Sequence, residues 1–373
     1  MEKFSKWRDP STGIQPFLPL QAPPSSPLSL ALYPFALVFG LARLLLLGAL
    51  YLIHLVLVDT LLAPLGGAGR PLASLLTALT ARLALALLGY YWIPVETVSA
   101  KRARGGVAQV AGSPRRGDLI IANWTSYVDV LFYAFRHNPT FLLPVFAAPA
   151  STGETFGRST GTGSASILLP SSTSRCEGYV AVSALSLIAR TGALPPTLED
   201  VSGTLFKTLA EARKAASGPV LLFPEATTSN GRAVLRFGEG VLAEEVGKEG
   251  IVWIKFTRHA VPTTLLPGAT CPIPAVGAHL LAFAATLPLP RSMAVRTLHP
   301  SAAPSSPSFL PSEVLASQPG GLAAAKDDKA VWREACGIVL AETGRVRRVP
   351  GMGWVEKTSF LEYYAKSRES RRR

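Results

Sequence analysis

The run from Leu28 to Leu62 is broken only by Arg43, His54 and Asp59, and it limits this chain more than any other feature. It contains Leu44-Leu-Leu-Leu47 and Leu50-Tyr-Leu-Ile53, enough apolar length for the ~20 residues that cross a bilayer core. A soluble fold would have to bury such a helix on nearly every side. Centring one helix on the whole run would put Arg43 at mid-membrane. The expected span therefore shifts towards Leu44–Leu62, or becomes a re-entrant hairpin. The run is too long for a signal-peptide core and no small-residue cleavage site follows it, so it reads as an uncleaved anchor. A second apolar segment, Leu72 to Ile93, carries Arg82 and ends in Tyr90-Tyr-Trp92, an aromatic edge suited to a membrane interface. Spanning and lying flat both stay open for it. Residues 1–27, polar and proline-rich, precede the anchor.

Charge agrees with a lipid setting. Charged residues are 16% of the chain, against about 25% in ordinary soluble domains. The 37 Lys+Arg and 24 Asp+Glu leave a net charge of +13. The basic residues cluster at Lys3–Arg8, Lys101–Arg116 and Arg345–Arg373, flanking apolar segments. An anionic bilayer surface attracts such clusters by about 1 kcal/mol per basic residue. No nucleic-acid motif is present, and no nucleic-acid partner is expected. Cys176, Cys271 and Cys336 are too few and too widely spaced for a zinc site or a disulfide framework. No metal is expected, and no tightly bound cofactor.

From about Lys101 the pattern becomes that of an α/β domain. Asp118-Leu-Ile-Ile-Ala-Asn123, Pro219-Val-Leu-Leu-Phe223 and Ile251-Val-Trp-Ile-Lys-Phe256 read as buried strands. Val201, Leu205, Leu209 and Ala212 form a helical stripe within Leu198–Ala216. Alternating strands and helices predict an α/β sheet flanked by helices behind an N-terminal membrane-anchoring segment. The divisions are 1–27 polar, 28–95 anchor (one span plus a second apolar or interfacial helix), and 100–299 α/β domain with a flexible insertion at 147–174. A low-complexity loop at 300–321 and a helical region with a basic tail at 322–373 follow, the helix expected over Ala323–Thr343.

Two segments at strand ends can carry chemistry, where ligands of open α/β sheets gather. One is Asn123-Trp-Thr-Ser-Tyr-Val-Asp129 and the other Phe223-Pro-Glu-Ala-Thr-Thr-Ser-Asn-Gly-Arg232. Each also has an ordinary structural reading. Ser126-Tyr-Val-Asp129 fits a capping box, Asn230-Gly231 is a common tight-turn pair, and Glu225 could be a solvated acid.

Taken together and in this order, the two resemble the paired motifs of the glycerolipid acyltransferase superfamily, Asn-His-x-x-x-x-Asp and Phe-Pro-Glu-Gly-Thr. Asn123 and Asp129 match the first; Phe223, Pro224, Glu225 and Thr227 match the second. The opening Met1-Glu-Lys-Phe-Ser-Lys-Trp-Arg-Asp-Pro-Ser-Thr-Gly-Ile-Gln-Pro-Phe-Leu-Pro19 and the tail Ser359–Arg368 resemble the fungal lysophosphatidic acid:oleoyl-CoA acyltransferases, a group linked to vacuolar protein sorting. The resemblance implies a 1-acyl-glycerol-3-phosphate O-acyltransferase of phospholipid synthesis in the endoplasmic reticulum membrane or on lipid droplets. Acyl-CoA would be co-substrate and a lysophospholipid the acceptor. It further implies Asp129 and Glu225 as catalytic, and Asn123, Thr125, Ser126, Phe223, Pro224, Thr227, Thr228, Asn230, Gly231 and Arg232 as substrate-binding. Arg232 suits a phosphate.

Trp124 departs from the pattern, because the family has its general base there and an indole accepts no proton at nitrogen. Ala226 replaces a Gly, which matters wherever the backbone needs a positive φ. Three accounts are open. The base is Asp129, His137 or the substrate's own phosphate; or positioning alone suffices; or the chain is a catalytically silent lipid-binding or trafficking scaffold.

Overall fold

The computed structural model describes residues 4–99, 112–147, 159–160, 167–168, 174–243, 247, 249–318 and 328–372. Helix α1 spans Pro27–His54, with Pro27 at its first position and the Ser26 side chain accepting the Ser29 N–H at 3.2 Å. It continues as wider turns over Leu55–Leu62 and tighter ones over Ala63–Leu65. The chain then turns back into α2, Arg70–Leu87. The two apolar segments thus form one hairpin. Within Pro27–Leu62 the most apolar window has a mean hydropathy of 2.3 and only 6% of it is buried, which weakly favours membrane association.

Arg43 does not sit in the open. Its Nη1 donates to Ala284 O at 2.8 Å and Thr286 Oγ1 at 3.2 Å, docking the middle of α1 on the globular domain. Gly40 allows that approach, since a Cβ there would lie 2.7 Å from the Ala285 Cα. The segment ahead of α1, expected as a polar lead, also packs on the domain. Trp7 and Phe17 are buried with Leu235, Val349 and Phe360, and Trp7 Nε1 donates to Ser359 Oγ at 3.0 Å.

The domain is a mixed α/β sheet flanked by helices. Its strands are β1 (Val95–Val98), β2 (Leu119–Ala122), β3 (Thr140–Phe146), β4 (Ser159–Thr160), β5 (Ile167–Leu168), β6 (Cys176–Val182), β7 (Leu205–Phe206), β8 (Val220–Leu222), β9 (Ala233–Leu235), β10 (Val252–His259), β11 (Met293–Leu298) and β12 (Arg347–Val349). The helices after the hairpin are α3 (Tyr127–His137), α4 (Ala184–Ala189), α5 (Leu209–Ala215), α6 (Val276–Ala284), α7 (Pro311–Ala316), α8 (Asp328–Gly344) and α9 (Trp354–Arg372). Eight strands make the main sheet, in the order β1-β11-β10-β2-β8-β3-β6-β7. Its centre is parallel: β10 on β2, β2 on β8 and β8 on β3.

Alternation in the strands builds two cores. Leu119 and Ile121 join Leu222, Ile254, Ile338 and Leu340 on one face; Ile120 and Ala122 join Leu221, Trp253, Leu85 and Phe132 on the other. Burial on both faces explains why these strands read as continuous apolar runs.

Two expectations need correction. The stripe over Leu198–Ala216 is not one helix, because Leu205 and Phe206 pair with Val180 and Tyr179 of β6 and only Leu209–Ala215 is α-helical. The loop expected at 300–321 contains α7, whose Val314 and Leu315 are buried in the core. The last expected helix is described from Asp328, and residues 319–327 lie outside the described residues. The insertion at 147–174 falls largely outside them as well, apart from the β4–β5 pair.

Candidate active site

Parallel pairing brings the carboxyl ends of β10, β2 and β8 side by side. The first motif leaves β2, the second leaves β8, and β10 contributes His259. Its Nε2 lies 2.7 Å from Asp129 Oδ1, with both side chains almost completely buried. The carboxylate has Trp124, not a histidine, nearby in the first motif, and takes its histidine from a strand 130 residues further on.

The sequence builds this pair locally. Ser126 caps α3 by accepting the Val128 N–H, and Asp129 closes the reciprocal half of the capping box. Asp129 Oδ2 takes Thr125 N–H at 2.8 Å, Thr125 Oγ1 at 2.8 Å and Ser126 N–H at 3.0 Å. Oδ1 is left for His259. Asn123 secures the other partner: its Oδ1 accepts Thr257 N–H at 2.7 Å and its Nδ2 donates to Thr257 O at 3.0 Å. That clamp sits two residues before His259. Burial pushes the Asp129 carboxyl upward, but the charge and hydrogen bond of His259 and the Thr125 bonds outweigh it and hold the group below its ordinary value.

The other ring nitrogen, His259 Nδ1, faces Tyr90 Oη at 3.4 Å. Tyr90 stacks on Phe283, which also meets Tyr127 and His279. Arg291 lies over the Phe283 ring at 3.5 Å. Tyr127 also lines an apolar cavity of about 170 Å³ between the hairpin and the domain, together with Leu47, Thr80, Ala84, Leu131 and Ile188.

Trp124 packs on the second motif. It is buried and stacks on Phe223 at 5.2 Å and 16°, and its Nε1 finds no partner among the described residues. His137 is away from the pair, at the far end of α3. Burial and the nearby Lys255 and Arg136 charges push its imidazole down to about 3.

The second motif is packed inward. Glu225 is fully buried, with Oε2 accepting the Leu235 N–H at 3.0 Å. Burial pushes its carboxyl up to about 8, only partly offset by the Leu235 amide, the Lys357 charge and the Trp124 amide. Ala226 adopts φ +58°, the left-handed conformation that the glycine of the family pattern would take freely. Pro224 O accepts the Gly238 N–H at 3.3 Å. Thr227 donates to Ala193 O and Thr228 to Cys271 O. Asn230 Nδ2 donates to Gln15 O at 2.8 Å and Leu18 O at 3.0 Å, gripping the N-terminal segment. Gly231 turns at φ +73° against Thr125. Of the second motif's polar side chains only Arg232 is exposed. Asp129 and Glu225 thus occupy holding positions, and the Thr227, Thr228 and Asn230 side chains spend their hydrogen bonds within the protein.

His259, Tyr90 and His279 lie outside both motifs. The strand run read as ending at Phe256 continues through Thr257 and Arg258 to His259, and that continuation was the one available signal.

No family model matches the chain, and no solved structure matches it. A lysophospholipid acyltransferase of Arabidopsis thaliana is 29% identical over 174 residues, which is 43% of this chain and 37% of that protein. The chain therefore matches little more than a third of that relative's length. The similarity supports an acyltransferase family: this chain is similar to an enzyme that acylates lysophospholipids.

Proposed function

We propose that the protein is an acyl-CoA-dependent acyltransferase that acylates a lysophospholipid, with lysophosphatidic acid as the acceptor expected from the motif resemblance. Phosphatidic acid would be the product, and the endoplasmic reticulum membrane or lipid droplets the site. The observation that carries the reading is the buried His259–Asp129 pair at the carboxyl ends of β10 and β2.

A glycerol hydroxyl takes the place of Tyr90 Oη beside His259 Nδ1. As its oxygen attacks the thioester carbonyl, His259 accepts the hydroxyl proton and Asp129 steadies the imidazolium. The tetrahedral oxyanion collapses, the C–S bond breaks, and His259 returns the proton to the leaving thiolate. An acyl chain fits the chemistry of the apolar cavity beside Tyr127. Arg232, exposed at the end of the second motif, suits the acceptor phosphate.

The test is acyl transfer by purified protein in detergent, with lysophosphatidic acid and other lysophospholipids as acceptors. His259→Ala should lower turnover about 10²–10⁴-fold, the usual contribution of a positioned base. Full activity in that variant refutes the assignment. A lipid-binding scaffold is the second reading, favoured by Trp124 and by the inward-turned second motif; wild-type turnover excludes it.

A further inference from the structure

Lys357 is completely buried, an uncommon place for an ammonium group. It lies in the first turn of α9, which is firmly set. Glu356 takes the Gly353 N–H at 2.7 Å and pairs with Arg236 at 2.9 Å, and Trp354 packs against Phe146 at 4.8 Å. Lys357 Nζ therefore enters the second motif from beneath. It donates to Thr227 Oγ1 at 2.7 Å, Thr228 O at 2.9 Å and Thr228 Oγ1 at 3.3 Å, which satisfies its three donors.

These bonds continue to the catalytic pair. Thr228 Oγ1 donates to Cys271 O at 2.8 Å, and Cys271 N–H donates to Thr125 O at 2.8 Å. Thr125 N–H donates to Asp129 Oδ2, and Asp129 Oδ1 holds His259. Thr125 is the shared residue: one of its backbone groups is fixed by the Lys357 side and the other fixes Asp129. Ser229 N–H, one residue beyond Thr228, also bonds to Trp124 O at 3.2 Å.

We infer that Lys357 is a positioning residue for the acyl transfer, holding the second motif so that Thr125 and Asp129 orient His259. This rests on the His259–Asp129 reading. The distances argue for a role beyond filling space, because an apolar side chain in the same place would leave Thr228 O and Thr227 Oγ1 without the donor they now have. Burial pushes the ammonium down to about 7, and the three hydrogen bonds oppose that cost of desolvation.

The experiment is a double-mutant cycle in the acyl-transfer assay, on full-length protein in detergent. Lys357→Met should lower kcat about 10–100-fold, the loss expected when a catalytic group is slightly misplaced, with KM for lysophospholipid little changed. In an Asp129→Asn background the same change should cost almost nothing further, since the pair it serves is already broken. Losses that multiply, or a rise in KM without a fall in kcat, overturn the inference. Thr228→Val breaks the same path without removing a buried charge; it should show the same non-additivity, which keeps the test decisive if Lys357→Met folds poorly. His259→Ala run alongside separates the two claims. Turnover that survives it defeats the catalytic reading, whereas an inactive His259→Ala beside a fully active Lys357→Met defeats only the role of Lys357.

Discussion

Placing at position 124 the histidine of the acyltransferase motif that this segment resembles should damage the protein without helping the proposed chemistry. Trp124 is 2% exposed, stacks on Phe223 at 5.2 Å and 16°, and belongs to the core layer that holds Val128, Phe132 and Tyr133. Truncating such a tryptophan to alanine costs about 3–5 kcal/mol, and histidine keeps only part of the ring, so about half of that is expected here. Losing the offset stack adds about 0.5–1.5 kcal/mol. Trp124→His should therefore destabilise by about 2–4 kcal/mol, a fall in Tm of roughly 5–15 °C for a domain of this size. Turnover should not rise, since His259 already holds the Asp129 oxygen that a second imidazole would need. Thermal unfolding in detergent and steady-state acyl transfer on wild type, Trp124→His and Trp124→His/His259→Ala measure both effects. A Trp124→His protein that turns over about ten times faster, or that restores activity to His259→Ala, would refute the replacement of one histidine by the other.

Asp129→Asn should lower kcat about 10²–10⁴-fold with little change in KM, because the imidazolium loses its buried counter-charge while substrate contacts stay. Asn230→Ala removes two hydrogen bonds to Gln15 O and Leu18 O, about 1 kcal/mol each. Faster amide exchange should then appear across residues 4–20 and not in the central strands. Glu225→Gln should change how stability responds to pH. The folded carboxyl keeps its proton up to about 8 and the unfolded one releases it near 4.5. The folded state therefore binds more protons in between, and wild-type stability falls as pH rises through that window. Lys357 has the opposite sense, since its folded value of about 7 lies below the unfolded 10.5, and it acts only above pH 7. Thermal midpoints at pH 5 and pH 7 should converge in Glu225→Gln; an unchanged difference would count against the buried acid as its source.

Both motifs and the strands beneath them were readable in the chain, because continuous apolar runs mark strands buried on two faces and both motif segments follow such runs directly. The capping box at Ser126–Asp129 was equally local, and it proved to be half of the truth: the carboxylate that starts α3 also binds His259 with its free oxygen. His259 itself was not legible. Its place beside Asp129 comes from the parallel register that sets Lys255 opposite Ala122, a pairing between segments more than a hundred residues apart. Arg43 showed the same limit. The run around it announced a charge in an apolar helix, but the carbonyls of Ala284 and Thr286 that receive it are set by packing of α1 on α6. The proline-rich opening hid Trp7 and Phe17 because polar composition outweighed two isolated aromatics whose partners lie in α9 and β12.

The contact between Trp7 and Ser359 also limits how a membrane-inserted hairpin could be arranged. Trp7 bonds to Ser359 and Asn230 holds Gln15 and Leu18, so the residues before α1 and the domain after α2 are parts of one packed body. Once the hairpin enters a bilayer, it must leave by the side it entered. An odd number of crossings would pull Trp7 and Ser359 into different compartments and empty the aromatic cluster around Phe360. For an inserted hairpin, Trp7, Ser359 and His259 share one aqueous side, and the glycine turn at Gly66–Gly67 is the far limit of insertion.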